Sequence, residues 1–188
     1  IKDNLPYKFL EVYGAEADDI IATLCKFTQT EKDRSRNEKI IIVSGDKDFI
    51  QLQKYVNVKQ YSPILKKYVD GHVPETYIKE HILKGDTSDG VPNVLSPDNT
   101  FTDGLRQKPL GKKKIATWLD INIDDLQDEV KRNYQRNEKL IDLSKIPNEL
   151  ESEILTEFHG APFGDRSKLL NYFIKTRLKN LTETIGEF

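Results

Sequence analysis

The sequence predicts an α/β protein in two parts: a parallel-sheet core in its first half, then a mostly helical region. Three observations carry this. Ile40-Ile41-Ile42-Val43 is an unbroken β-branched run, the pattern of a strand covered on both faces of a parallel sheet. Ala17, Ile20, Ile21, Leu24 and Phe27 recur at helical spacing ahead of it. Beyond Pro74 the apolar residues fall at helical spacing, so strands give way to helices.

In chain order, residues 9–12 come first, short and apolar enough for a strand and broken at Tyr13-Gly14. A helix is expected over 17–27, and residues 28–38 form a charged, exposed connection. The strand at 39–44 leads into one or two helical turns at 48–53, then two strands at 58–61 and 67–69 separated by Ser62-Pro63. Pro74 suits the first position of a helix reaching Leu83. Residues 85–109 are polar and rich in Gly, Pro and Asp, without periodicity. Helices are expected at 112–119, at 124–143 (Leu126, Val130, Tyr134, Leu140 and Ile141 on one face), at 147–158 and at 167–178. The predicted division is residues 1–83 for the sheet core and 84–188 for the helical region.

Composition narrows the class. The chain has 188 residues, a single cysteine and no apolar run of membrane-spanning length, and Ile1-Lys2-Asp3-Asn4 does not read as the start of a signal peptide. Cys25 stands in an apolar helix and reads as core rather than nucleophile. Methionine is absent, which predicts a processed chain or the C-terminal portion of a longer protein. The net charge of −2 becomes +5 once seven clustered carboxylates are set aside, so the rest of the surface permits a phosphate backbone.

Those seven acids form three groups. Glu16, Asp18 and Asp19 open the first predicted helix, where acids also complement the helix dipole. Asp46 and Asp48 come directly after the Ile40–Val43 strand, and ligands of open α/β sheets collect beyond the carboxyl ends of strands. Asp86 and Asp89 lie in Gly85-Asp86-Thr87-Ser88-Asp89-Gly90, which alone is an ordinary polar turn. Together they suit hard divalent ions, Mg²⁺ or Mn²⁺, which take oxygen ligands, and a two-metal phosphodiester cleavage needs acids from several chain segments. His72, His81 and His159 lack zinc-site spacing, and no phosphate-binding Gly-rich loop ending in Gly-Lys-Ser/Thr occurs.

The blocks Glu16-Ala17-Asp18-Asp19, Ser44-Gly45-Asp46-Lys47-Asp48-Phe49-Ile50-Gln51-Leu52 and Gly85-Asp86-Thr87-Ser88-Asp89-Gly90-Val91-Pro92 occur in the order and rough spacing of the flap endonuclease / 5′-nuclease family. The resemblance is strongest to the ribonuclease H (5′→3′ exonuclease) group of T-even-like phages. There it extends through residues 57–63 and the C-terminal residues 181–188. It implies a PIN-like 5′-nuclease core lacking its N-terminal part and a helical region with a helix–three-turn–helix element. The implied activity is that of a structure-selective 5′→3′ exonuclease and flap endonuclease with RNase H activity, removing RNA primers and adjoining DNA in phage lagging-strand replication.

By motif, Glu16, Asp18 and Asp46 would serve mainly a first metal ion. Asp48, Asp86 and Asp89 would serve a second, with Asp19 an inner- or outer-shell partner. Gly111, Lys112, Lys113 and Lys114 resemble the duplex-binding half of the helix–three-turn–helix, and a Gly-containing turn ahead of lysines also suits a phosphate physically. Residues 95–109 depart from the family there, leaving duplex contacts open. The resemblance further implies a monomer acting on DNA and RNA–DNA hybrids in the cytoplasm of an infected host, with a phage single-stranded-DNA-binding protein as partner. It implies a C-terminal portion that by itself cleaves weakly or not at all. Two other readings stay open: a non-catalytic DNA-binding or replication-partner module, and a PIN-like ribonuclease.

Overall fold

The computed structural model describes residue 2 and residues 4–30 and 38–188. The expected charged connection lies mostly outside the described residues. The chain divides into a larger unit, Ala17–Pro147, and a smaller one made of Ile1–Glu16 and Asn148–Phe188.

In the larger unit, helix α1 (Ala17–Thr30) precedes strand β1 (Ile40–Val43), a 3-10 turn (Asp48–Lys54), strands β2 (Val58–Ser62) and β3 (Lys67–Val69), and helix α2 (Pro74–Lys84). The sheet is mixed: β1 pairs with β2 in parallel, Ile40 opposite Val58, while β3 returns antiparallel, Tyr68 opposite Tyr61. One core cluster joins Ala22 and Cys25 of α1 to Ile42, Phe49, Leu52 and Val58. Burial pushes the Cys25 thiol up to about 11, which keeps it a protonated core group. Expectation and structure part at β1. Ile42 is buried, but Ile41 and Val43 are 54% and 67% exposed, so one face of the strand is covered and the other is not. Residues 9–12 form no strand; they lie in the smaller unit as irregular chain.

Helix α3 (Lys112–Leu119) packs on α2, and helix α4 (Asp128–Ile141) also packs on α2. Val130, Asn133, Asn137 and Ile141 are the buried residues of α4, whereas Leu140, expected to face inward, is 64% exposed. The asparagines turn inward because the segment they cover exposes backbone rather than side chains. Asn137 donates to the carbonyls of Ile82 (2.8 Å) and Pro92 (2.9 Å), and Asn133 to that of Val94 (3.0 Å). Asn93 and Ser96 tie down residues 107 and 108, Asn93 Nδ2 reaching Lys108 O at 2.9 Å and Ser96 Oγ accepting from Lys108 N at 2.9 Å. A segment without periodicity is thus ordered by amides that satisfy its peptide groups.

The smaller unit holds helices α5 (Asn148–Gly160), α6 (Leu169–Lys175) and α7 (Lys179–Glu183). Ile154, Leu169 and Phe173 are fully buried in it, while Leu170 turns outward. Lys8 Nζ lies 4.7 Å and 5.3 Å from the ring centres of Phe158 and Phe163 and donates to Phe158 O at 2.6 Å.

Candidate metal centre

Three local structures in the larger unit build the centre. The first is the turn after β1. Ser44 Oγ accepts from Asp46 N (3.1 Å), and Asp46 Oδ1 accepts from Asp48 N (3.1 Å) as the 3-10 turn begins. Gln60, buried in β2, donates to the carbonyls of Ser44 and Asp46 and so pins the turn to the sheet. Phe49 and Ile50 are buried and anchor the 3-10 turn, which leaves Asp48 half-buried and Asp46 exposed.

The second is the last turn of α2, which carries His81. The third is the reversal immediately after it. Gly85 has a φ of 68°, and a Cβ there would stand 2.3 Å from Val91 O, so only glycine fits. The chain doubles back, Val91 N donating to Asp86 O at 2.7 Å, and the Asp86 carboxylate accepts from Ser88 N (2.8 Å) and Ser88 Oγ. Folded this way, Asp86 Oδ2 meets His81 Nε2 at 3.0 Å. On the other side of the ring, His81 Nδ1 is 3.3 Å from Asp48 Oδ1. The distance is that of an ion pair, but the alignment is not that of a hydrogen bond, and Nδ1 is a buried nitrogen without a hydrogen-bond partner. Tyr77, one turn earlier on α2, sets its ring edge-on to His81 at 5.9 Å and to His72 at 5.6 Å.

The electrostatics separate the two carboxylates. Burial raises the Asp48 pKa; His81 opposes that, and Asp46, Asp86 and Asp89 reinforce it. Burial also works against the charge on Asp86, but the hydrogen bonds from Ser88 Oγ, Ser88 N, His81 and Asp89 N outweigh it and hold its pKa below the usual carboxylate range. The Tyr77 hydroxyl is pushed up to about 12, by burial first and then by Asp48, Asp46, Asp86 and Glu80. A concentration of negative charge gathered around one histidine is a setting that a divalent cation would relieve.

Of the acids singled out from the sequence, Asp46, Asp48, Asp86 and Asp89 share this electrostatic neighbourhood. Among the described residues, the one group of three ligating side chains with donor atoms all within 4.8 Å is Asp48, His81 and Asp86. Asp18 and Asp19 occupy the first turn of α1, half-buried, and are not part of that group. Glu16 stands just before α1 in the chain and belongs to the smaller unit. Gly111 and Lys112–Lys114 are exposed at the start of α3, where no side chain caps the helix; Lys114 Nζ lies 4.6 Å from the centre of the Trp118 ring. Sequence reasoning weighed His81 only as a zinc ligand and missed it here. The available signal was a histidine in the last turn of a helix that stops at Gly85, directly before an acidic turn.

A family model described as the C-terminal part of T4 RNase H matches residues 72–188. The chain belongs to the T4 RNase H family. Residues 1–82 match the N-terminal resolvase-like domain of 5′-3′ exonucleases, in keeping with a small mixed sheet that gives way to helices. Among individual relatives, ribonuclease H of Enterobacteria phage T4 is 36% identical over 100% of this chain and 63% of its own length. A 5′-3′ exonuclease of Buchnera aphidicola subsp. Schizaphis graminum is 37% identical over 50% of this chain and 33% of its own. The thermostable DNA polymerase I of Thermus filiformis is 28% identical over 77% of this chain and 18% of its own. The chain therefore spans less than two thirds of each. The 5′-3′ exonuclease family is metal-dependent, and the Asp48–His81–Asp86 donor set fits a divalent cation.

Proposed function

We propose that the protein is a divalent-metal-dependent, structure-selective 5′→3′ exonuclease and flap endonuclease with RNase H activity, removing RNA primers and adjoining DNA in phage replication. The observation that carries the proposal is the convergence of Asp48 and Asp86, from turns 38 positions apart in the chain, on the two nitrogens of His81 in a T4 RNase H family member.

In this reading Asp48, Asp86 and Asp89 hold one Mg²⁺ or Mn²⁺ ion, directly or through water. Asp18 and Asp46 hold another, with Asp19 as an inner- or outer-shell partner. When bound, the ions polarise the phosphodiester and lower the pKa of the attacking water. The chain's own contribution is to fix carboxylates of different basicity. Asp86 stays ionised through its hydrogen bonds, whereas Asp48 is held at a cost that a cation offsets. Exposed Lys112, Lys113 and Lys114 and the turn at Gly111 suit contacts with duplex phosphates.

The test is cleavage of 5′-labelled flap DNA and of an RNA–DNA hybrid by the full-length protein in Mg²⁺. Asp48→Asn should lower turnover by roughly 100-fold, the order expected for loss of a group governing metal affinity or activity. Unchanged turnover in that variant would leave a DNA-binding module as the better description. Preferential cutting of single-stranded RNA would point instead to a PIN-like ribonuclease.

A further inference from the structure

We infer that the cleft between the turn after β1 and strand β3 is a second phosphate subsite, which takes the linkage next to the scissile one in the cleaved strand. Lys67 and Lys47 are its cations, and the Tyr77 hydroxyl is its neutral donor. The inference rests on the proposed nuclease function and adds how the substrate backbone is held beside the metal centre.

The cleft has a volume of about 470 Å³, within the range of pockets that enclose small ligands. Gly45, Asp46 and Lys47 line it, so it is continuous with the carboxylates of the candidate metal centre. Gln60 and Ser62, both buried, line it from β2. Lys67 of β3 is paired with Ser62, and residues directly opposite in an antiparallel pair project to the same face. Lys67 therefore stands on the cleft face of the sheet. Tyr68, the next residue, projects to the other face, where it meets Tyr61 and Lys59. The walls are held without a ligand. Gln60 pins the turn through the carbonyls of Ser44 and Asp46, and Gln53 Nε2 donates to Val69 O at 3.1 Å, which ties β3 to the 3-10 turn.

Charge selects the ligand. Lys47, Lys67 and Lys84 line the cleft against Asp46 and Asp70. Lys84 pairs with Glu80, and Asp46 is a metal ligand in the proposed function. Among the described residues Lys47 and Lys67 make no ion pair, which leaves two ammonium groups for an anion. Tyr77 of α2 also lines the cleft, and among the described residues its hydroxyl makes no hydrogen bond. Lysines acting as point charges, with a hydroxyl beside them, hold phosphate without reading sequence. A free anion would meet the neighbouring carboxylates unaided. The next phosphate of a strand already held at the metal centre arrives tethered, at high effective concentration. None of these groups reads a sugar or a base, so DNA and RNA strands are held alike.

The experiment uses the full-length protein and a 5′-flap DNA. Affinity is measured against salt concentration with a chelator present, so that nothing is cut. Lys67→Ala should reduce the slope of log affinity against log salt by about 0.7–0.9, the loss of one phosphate contact. Lys59→Ala, which removes the same charge from the other face of the sheet, should leave the slope as it is. In Mg²⁺, Lys67→Ala should raise KM roughly fivefold with kcat little changed. Tyr77→Phe, which keeps the ring, should raise KM about twofold. A neutral methylphosphonate at one of the two linkages flanking the cut should weaken binding to the wild-type protein and abolish the further effect of Lys67→Ala. A slope in Lys67→Ala equal to that of wild type, or an effect of the variant that persists undiminished at both neutral linkages, overturns the inference and leaves the nuclease function standing. Failure of the wild-type protein to cut the flap in Mg²⁺ overturns both.

Discussion

At the scale of single residues, the centre works through contrast between two aspartates. Asp48 has a folded-state pKa above its ordinary value, chiefly through burial. Any stability from this group is therefore present below the ordinary aspartate pKa and is lost as pH rises through the raised one, so at neutral pH its charge is a cost. Asp48→Asn should raise the metal-free melting temperature by a few degrees at about pH 7.5, where about 1 kcal/mol corresponds to roughly 2–4 °C for a chain of this size. The gain should shrink as the scan moves toward about pH 4, and calorimetry across that range checks it. A gain independent of pH would mean that the charge of Asp48 is not what the fold resists. Asp86 has the opposite sign, its pKa lowered by the donors around it, so its contribution is present above the ordinary pKa and fades as pH falls. The acids were legible in the sequence because clustered carboxylates stand out in any chain. His81 was not, because its role depends on the reversal at Gly85, which only the folded chain displays.

At the scale of elements, α4 shows how a helix can be read correctly and faced incorrectly. Its existence follows from periodicity, but its buried face carries Asn133 and Asn137 where an apolar stripe would place Leu140. Periodicity assumes that a buried helix meets side chains. This one meets the carbonyls of Ile82, Pro92 and Val94, which demand donors. Asn137→Ala should cost about 2 kcal/mol, because it takes the Asn137 donor from the Ile82 carbonyl, leaves Pro92 O with its bond from Arg136 alone, and opens a small void. Asn137→Leu should cost at least as much despite its greater apolarity. Urea unfolding of the two variants measures this; a neutral Asn137→Leu would show that the carbonyls find other partners. The same bonds hold the segment after Asp89, so loss of Asn137 should also loosen Val91 N from Asp86 O and raise amide exchange there.

At the scale of the whole molecule, the division into strands first and helices afterward was legible from the change of period near Pro74. The mixed character of the sheet was not, because three residues at Lys67–Val69 carry no signal of direction. The uncovered side of β1 was not legible either. A β-branched run reports that a strand tolerates burial on both faces, not that both faces are buried. The exposed strand has a colloidal consequence. Among the described residues β1 hydrogen-bonds only to β2, so its outer edge presents unpaired peptide groups flanked by exposed Ile41 and Val43. Such an edge is a template for strand addition between molecules. Concentrated solutions of this chain should accumulate thioflavin-positive assemblies at a rate that rises steeply with protein concentration. A lysine at position 43 (Val43→Lys) should act as a gatekeeper, slowing assembly while lowering stability by no more than about 0.5 kcal/mol.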